Sequence, residues 1–310
     1  PIISVTISPR FDGDRERLQR ALSVLAKDDP TIRIKAESVD SKTILSGIDD
    51  LHLEGICDRI LHDFKIQVDV GEPKVIYQET IRKNAEAQGR YIRQTGGFGN
   101  YGHCKLRVEP NQAGRGYEFI NDITGSIVPE KYIEPINQGV QEALEQGILA
   151  GHPLVDIKVT LFDGSYHELD SNERAFKFAS SIALQEAVRK ASPVLLEPVM
   201  SVEITVPEED TRAVIGDIKS RRGRIESMGH VDESIVIKAF VPLAEMLGYG
   251  RDIHSISQGR ACYSMRLARY EAVPQDGDPG VEDAGVTANK PKGPKAGIGF
   301  AAANLEEGSG

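Results

Sequence analysis

The sequence predicts an α+β protein, and two observations carry that expectation. One element order, β-α-β-β-α-β, is legible near each end of the chain. Between the two copies lies a segment of another kind, in which long alternating stretches precede two helical patterns.

In the first copy, Ile3, Val5 and Ile7 alternate with Ser4, Thr6 and Ser8, the pattern of a strand with one buried face. Asp12-Gly13-Asp14 opens a helix that carries Leu18, Leu22, Val24 and Leu25 at helical spacing. Residues 32–36 and 42–47 read as strands, residues 50–64 as a helix with Leu53, Ile56, Cys57, Ile60 and Leu61 on its apolar face, and residues 65–70 as a last strand. The second copy has strands at 202–206, 224–228, 234–240 and 261–272. Its helices fall at 209–220 and 243–259, the latter broken near Gly248 and Gly250. Two split β-α-β units of this order predict two ferredoxin-like domains that flank something else.

In the middle, residues 76–92 and 101–109 alternate as extended hairpin strands. Helices are expected at 130–146 and 172–190, with a strand at 154–162 between them. Asp170 followed by Glu173 reads as a capping box for the second helix, and Pro193 stops it. The expected domains are therefore 1–73, 74–194 and 195–273. Residues 274–310, rich in Gly, Pro and Ala with six acidic residues and three lysines, are expected to be a disordered tail.

Composition limits the function. A length of 310 residues suggests about two or three domains. No apolar run approaches the roughly 18 residues of a membrane helix. Pro1-Ile2-Ile3 begins a strand with no basic lead and no cleavage site, so no signal peptide is read; a chain that opens on a strand is expected to be a fragment cut at a domain border. Three widely spaced cysteines, Cys57, Cys104 and Cys262, form neither a disulfide framework nor a CxxC metal site, which fits a cytoplasmic protein. The net charge of −10 argues against a non-specific nucleic-acid binder but leaves room for local basic contacts.

Three motifs stand out. Gly96-Gly97-Phe98-Gly99-Asn100-Tyr101-Gly102 contains GxGxxG, but a dinucleotide fingerprint must lead into a helix, and here Cys104, Leu106 and Val108 alternate as a strand. The bland reading is a flexible hairpin tip whose glycines let backbone approach a partner. Asp163-Gly164-Ser165-Tyr166-His167-Glu168 lies between a strand and a helix; no second histidine completes a zinc motif, and a lone loop histidine is usually surface. Lys219, Arg221, Arg222 and Arg224 crowd a helix end, where they could offset the helix dipole or contact phosphate. No catalytic triad, paired carboxylates or metal cluster is read, and GxxxxGK[ST] does not occur.

Together these residues resemble the C-terminal three domains of elongation factor G, a family of translational GTPases. The resemblance is carried by Ile44-Leu45-Ser46-Gly47 with Leu51-His52-Leu53-Glu54, by Gly96–His103, by Gly116-Tyr117-Glu118-Phe119 and Val128-Pro129, and by Gly164-Ser165-Tyr166-His167 with Asp170-Ser171. Leu195–Met200, Val214-Ile215-Gly216-Asp217, Arg221-Arg222-Gly223 and Pro242–Tyr249 extend it. It implies that the outer domains are domains III and V, both ferredoxin-like, and that the middle is domain IV, a ribosomal protein S5 domain 2-like fold and the family's tRNA-mimicking arm. Gly96, Gly97, Phe98, Gly99, Asn100, Tyr101, Gly102, Ser165, Tyr166 and His167 would form the tip that meets the ribosome and the tRNA–mRNA complex. Lys219, Arg221, Arg222 and Arg224 would be candidate contacts to ribosomal RNA phosphate. It further implies a translocase in which GTP and magnesium belong to a nucleotide-binding domain absent here, so that this chain alone binds no cofactor and acts as a monomer. Phe98 and Asn100 depart from the Arg and Gln common in the family, and Asp49-Asp50 from its Gly-Glu. The alternative is a paralogue in ribosome recycling or tetracycline ribosomal protection.

Overall fold

In the computed structural model the N-terminal alternation becomes strand β1 (Ile3–Pro9), with Ile3, Val5 and Ile7 buried. The structure describes residues 1–36, 42–95 and 98–274, so the expected disordered tail lies outside the described residues apart from Pro274. Helix α1 (Arg15–Asp28) buries Leu18, Ala21, Leu22 and Leu25, one stripe at i, i+3, i+4 and i+7. Each leucine of that stripe contributes roughly 1.5–3 kcal/mol by leaving water. Strands β2 (Arg33–Ala36) and β3 (Thr43–Gly47) follow, then α2 (Asp50–Phe64) and β4 (Val68–Val70). Asp49 caps α2 by accepting from His52 N at 2.7 Å. Lys65 ends it at a left-handed φ of 54°, which is why β4 starts three residues later than the alternation suggests. The sheet order β2-β3-β1-β4 is that of the ferredoxin-like unit, and a short strand β5 (Lys74–Val75) shares the β1 edge with β4.

The second copy has the same layout. Strands β11 (Pro193–Pro207), β12 (Arg224–Val231), β13 (Ser234–Pro242) and β14 (Cys262–Ala272) are ordered β12-β13-β11-β14. Helix α5 (Thr211–Ser220) starts after a 3-10 turn rather than at residue 209. The expected break in the last helical stretch is real. Leu247 is extended (ψ 122°) and Gly248 is left-handed (φ 73°), which separates α6 (Leu243–Met246) from α7 (Tyr249–Ser257). The two copies, each expected as a domain of its own, gather into one compact unit of residues Pro1–Ile76 and Pro198–Arg269, with Leu247 packed against the core of the first copy.

Tyr77–Glu197 and Tyr270–Val273 form the other unit. Its sheet runs β7 (Ala85–Thr95), β8 (Phe98–Pro110), β10 (Ile157–Ser165), β9 (Tyr117–Asn121), with only the β9–β10 pair parallel. Strand β10 begins three residues later than expected, because Asp156 takes a left-handed φ of 53° and Leu154 bridges Glu79 instead. Helices α3 (Ile133–Gln146) and α4 (Glu173–Lys190) cover the face that buries Cys104, Leu106, Val108, Val159 and Leu161. Helix α4 lies unusually close to β7 and β8. A Cβ on Gly89 would sit 1.9 Å from the Ala179 carbonyl oxygen, and one on Gly102 would sit 2.4 Å from that of Ala175. On the helix side, Ala175, Ala179, Ala183 and Ala187 repeat every fourth residue and are all fully buried. Small residues on both surfaces let the backbones touch.

A buried carboxylate organises the other end of this unit. Glu79, in β6 (Gln78–Ile81), is fully buried. Its oxygens accept from the backbone N–H groups of Ile148, Leu149, Ala150 and His152 at 2.7–3.0 Å. Burial pushes its carboxyl up, but the four amides together hold it below its ordinary value. Glu79→Gln places an amide N–H₂ against two of those donors and should cost about 3 kcal/mol in urea unfolding. Because the folded carboxyl is lowered, its contribution is complete above the ordinary glutamate value and fades as pH falls through the folded one. The variant should lose that part of the acid dependence; an unchanged urea midpoint would contradict the assignment.

Candidate nucleic-acid interface

The site is built from the β7–β8 hairpin, the end of β10 and the loop that leads into α4. Cross-strand register places Arg90 opposite His103 and Ile92 opposite Tyr101, while Ser165 meets His103 from the other side. Period-2 alternation then puts Gln88, Arg90, Ile92, Tyr101, His103 and Ser165 on the face away from the helices. Tyr101 Oη and His103 Nδ1 both lie 2.8 Å from Ser165 Oγ, and His103 Nε2 faces Gln88 Oε1 at 3.4 Å. Burial, with Arg90 and Lys105 nearby, holds His103 below the usual histidine range against the opposing pull of Asp163. A neutral ring with its proton toward Gln88 orders the chain: Tyr101 donates to Ser165, and Ser165 donates to His103 Nδ1. The Arg90 guanidinium stands 5.8 Å from the Tyr101 ring centroid.

The loop after β10 is fastened to this hairpin. Asp170 Oδ1 accepts from Gly99 N at 3.2 Å, and its backbone carbonyl accepts from Tyr101 N at 2.8 Å. His167 Nδ1 stands 3.4 Å from Asp170 Oδ2. Ser171 closes the turn: its Oγ accepts from His167 N at 2.9 Å, its N–H donates to His167 O at 3.0 Å, and its own carbonyl accepts from Tyr132 Oη at 2.9 Å. Asn172 Nδ2 donates to Asn100 Oδ1 at 2.7 Å. What this fastened loop turns outward is Tyr166 (40% exposed), the His167 side chain, Glu168 and Leu169 (89%), while the hairpin exposes Ile92 (59%).

Three expectations change here. The capping box is not formed. Asn172 is the N-cap of α4 and accepts from Ala175 N at 2.9 Å, while Asp170 turns to the hairpin. The glycines are not all open surface. Gly102 lies against the α4 backbone and is required by the protein's own packing, and a Cβ on Gly99 would lie 2.5 Å from Asp170 Cγ and push that carboxylate aside. Gly99 to Gly102 lie within β8, and Ser165 ends β10 rather than starting a loop. Gly96 and Gly97 lie outside the described residues, and of Phe98 only the backbone, paired with Thr95, is described. The sequence alone assigns no contact role to Gln88, Arg90 or Leu169. The first two can be found by carrying the strand alternation across the hairpin.

The basic cluster at the end of α5 divides. Arg221 is nearly buried and bonds Asp217 (2.8 Å), the Glu245 carbonyl (2.5 Å) and Asp252 (2.5 Å), with its guanidinium 4.9 Å from the Tyr249 ring. Arg222, at φ 58°, reaches Glu245 at 3.3 Å. Lys219 and Arg224 are exposed. Among the described residues no group of three or more His, Cys, Asp or Glu could hold a metal ion, and no helix is long and apolar enough to cross a membrane. Burial lifts Cys57 to about 11 and Cys104 to about 12, and all three cysteines are free.

Comparison with known proteins agrees with this architecture. Residues 1–72 match elongation factor G domain III, residues 73–192 match elongation factor G domain IV, and residues 194–278 match the elongation factor G C-terminus. The chain belongs to the elongation factor G family. A crystal structure of a protein from Thermus thermophilus superposes with a TM-score of 0.68 at 38% sequence identity, covering 90% of this chain and 41% of that one. The chain thus spans less than half the length of that protein.

The geometry separates the two kinds of cation at the α5 end. Arg221→Ala leaves Asp217 and Asp252 without their shared partner and should cost about 3 kcal/mol in thermal or urea unfolding. Lys219→Ala should change stability by no more than about 0.5 kcal/mol. Equal effects on stability would contradict a structural role for Arg221.

Proposed function

We propose that this chain is the ribosome-engaging part of an elongation factor G-like translocase, with the loop 166–171 and the β7–β8 hairpin end as the tip that meets RNA during movement of tRNA and mRNA. The observation that carries this reading is the joining of the two loops through Asp170, which turns His167, Tyr166 and Leu169 outward on a fastened support. Those groups suit RNA. Histidine can donate to ribose and phosphate, a tyrosine ring can stack on an unpaired base, and an apolar side chain can cover a sugar face. GTP hydrolysis belongs in this reading to a nucleotide-binding domain of the longer protein, since no P-loop occurs in the sequence. Lys219 and Arg224 remain the candidate contacts to ribosomal RNA phosphate, whereas Arg221 serves the fold. The net charge of −10 implies that such contacts are few and local.

A paralogue in ribosome recycling or antibiotic protection is the second reading, favoured by Phe98 and Asn100 at positions where the family commonly has Arg and Gln. Asn100 is engaged by Asn172, so its departure is absorbed within the tip.

The test has two parts. Co-sedimentation of the chain with ribosomes should show binding that weakens steeply as salt rises, because phosphate contacts release counterions; salt-insensitive binding would point to a protein-dominated contact. In the full-length factor, His167→Ala should slow translocation by about tenfold or more while GTP hydrolysis stays close to wild type. Unchanged translocation together with lost subunit splitting would favour the paralogue.

A further inference from the structure

We propose that Asp170 is the positioning residue of the tip: it fixes the end of the hairpin and the exposed loop as one surface, and through that surface sets affinity for RNA. The inference rests on the reading of the tip as an RNA contact and goes beyond it by naming the group that gives the contact its shape.

Asp170 is the one described residue that bonds Gly99 through its side chain and Tyr101 through its backbone, at 3.2 and 2.8 Å. Its second carboxylate oxygen stands 3.4 Å from His167 Nδ1, so the same side chain touches both loops. The tie is steric as well as polar. The carboxylate occupies the space that a Cβ on Gly99 would need, 2.5 Å from Cγ and 2.6 Å from Oδ1. A side chain at 99 would displace the Asp170 carboxylate from its bond to the hairpin, and the placement of that carboxylate is not explained by the helix cap, which Asn172 provides. Leu169, at 89% exposure, is held out between His167 and Asp170 by bonds on either side of it. An apolar side chain displayed by a fastened turn offers a defined surface to a ribose or base, whereas the same side chain on a loose loop would first have to be ordered at an entropic cost.

The test uses the full chain and ribosomes, with amide hydrogen exchange on the free chain as an independent readout. Asp170→Ala should release the Gly99 amide to exchange, leave the Tyr101 amide (held by the backbone carbonyl of residue 170) and the rest of β7, β8 and α4 protected, and weaken ribosome binding about tenfold. Asp170→Asn keeps an acceptor for Gly99 and should bind within about twofold of wild type. Gly99→Ala should weaken binding about as much as Asp170→Ala. The double variant Gly99→Ala with Asp170→Ala should be no weaker than the worse single, because the methyl then occupies the vacated space. Wild-type binding by Asp170→Ala overturns the positioning role alone. Asp170→Asn as weak as Asp170→Ala, with Gly99 still protected, also overturns it, since the charge rather than the bond would then matter. Loss of protection throughout β7, β8 and α4 makes the residue merely structural and overturns it as well. No salt-dependent binding by the wild-type chain overturns both this inference and the functional reading on which it rests.

Discussion

The arrangement of the middle unit depends on the near contact between the backbone of α4 and strands β7 and β8. Gly89 and Gly102 on the sheet meet Ala179 and Ala175 on the helix at distances that leave no room for a Cβ. Once the helix is seated there, its first residue is fixed relative to the hairpin. Asn172 then lies beside Asn100, and Asp170 lies over Gly99. The polar contacts between the loops follow from this steric one. Hydrogen bonds at an exposed position contribute little each, roughly 0.5–1.5 kcal/mol, and could not by themselves choose the geometry. They hold what the packing has already brought together.

Much of the architecture was legible because period and burial agree. The stripe Leu18, Ala21, Leu22, Leu25 and the alternation Ile3, Val5, Ile7 each have one interpretation, and the two β-α-β-β-α-β patterns fold into the sheet orders expected of them. What was not legible depends on single backbone angles or on partners distant in sequence. Asp156 and Lys65 take left-handed conformations that no period announces, and each shifts a strand by three residues. Asp170 followed by Glu173 is a sound local cap pattern. The Gly99 amide, 71 residues away, nevertheless takes the Asp170 carboxylate, and Asn172 supplies the cap instead. For the site, sequence and resemblance named Tyr101, Ser165 and His167 without showing that Tyr101 and Ser165 bond each other. That the Asp170 carboxylate occupies the space left by Gly99 emerges only from coordinates, because a glycine in a sequence does not reveal what fills the space it leaves.

Charge tells a related story. An acidic chain that meets RNA must do so through a small number of groups, and a cluster of cations in the sequence is an attractive candidate. The fold withdraws part of it. Arg221 sits between Asp217 and Asp252 against the Tyr249 ring, where it neutralises neighbours rather than solvent-borne phosphate. At the tip, the loop turns out a tyrosine, a histidine, a glutamate and a leucine, and the hairpin presents Arg90 and Arg93, which is a mixed surface rather than a run of cations. Recognition of that kind depends on shape and placement more than on summed charge, which makes the rigidity of the support the property that matters.

The most direct measurement of the central claim places a cleavage reagent on the tip itself. Glu168→Cys in a Cys262→Ser background offers one exposed thiol for a tethered iron chelate, since Cys57 and Cys104 are buried. With the labelled chain bound to ribosomes, the account predicts strand cuts concentrated in a few ribosomal RNA segments. The same label moved to the exposed Lys219 position by Lys219→Cys should cut elsewhere. Cuts from residue 168 that are absent, or that coincide with those from residue 219, would contradict it.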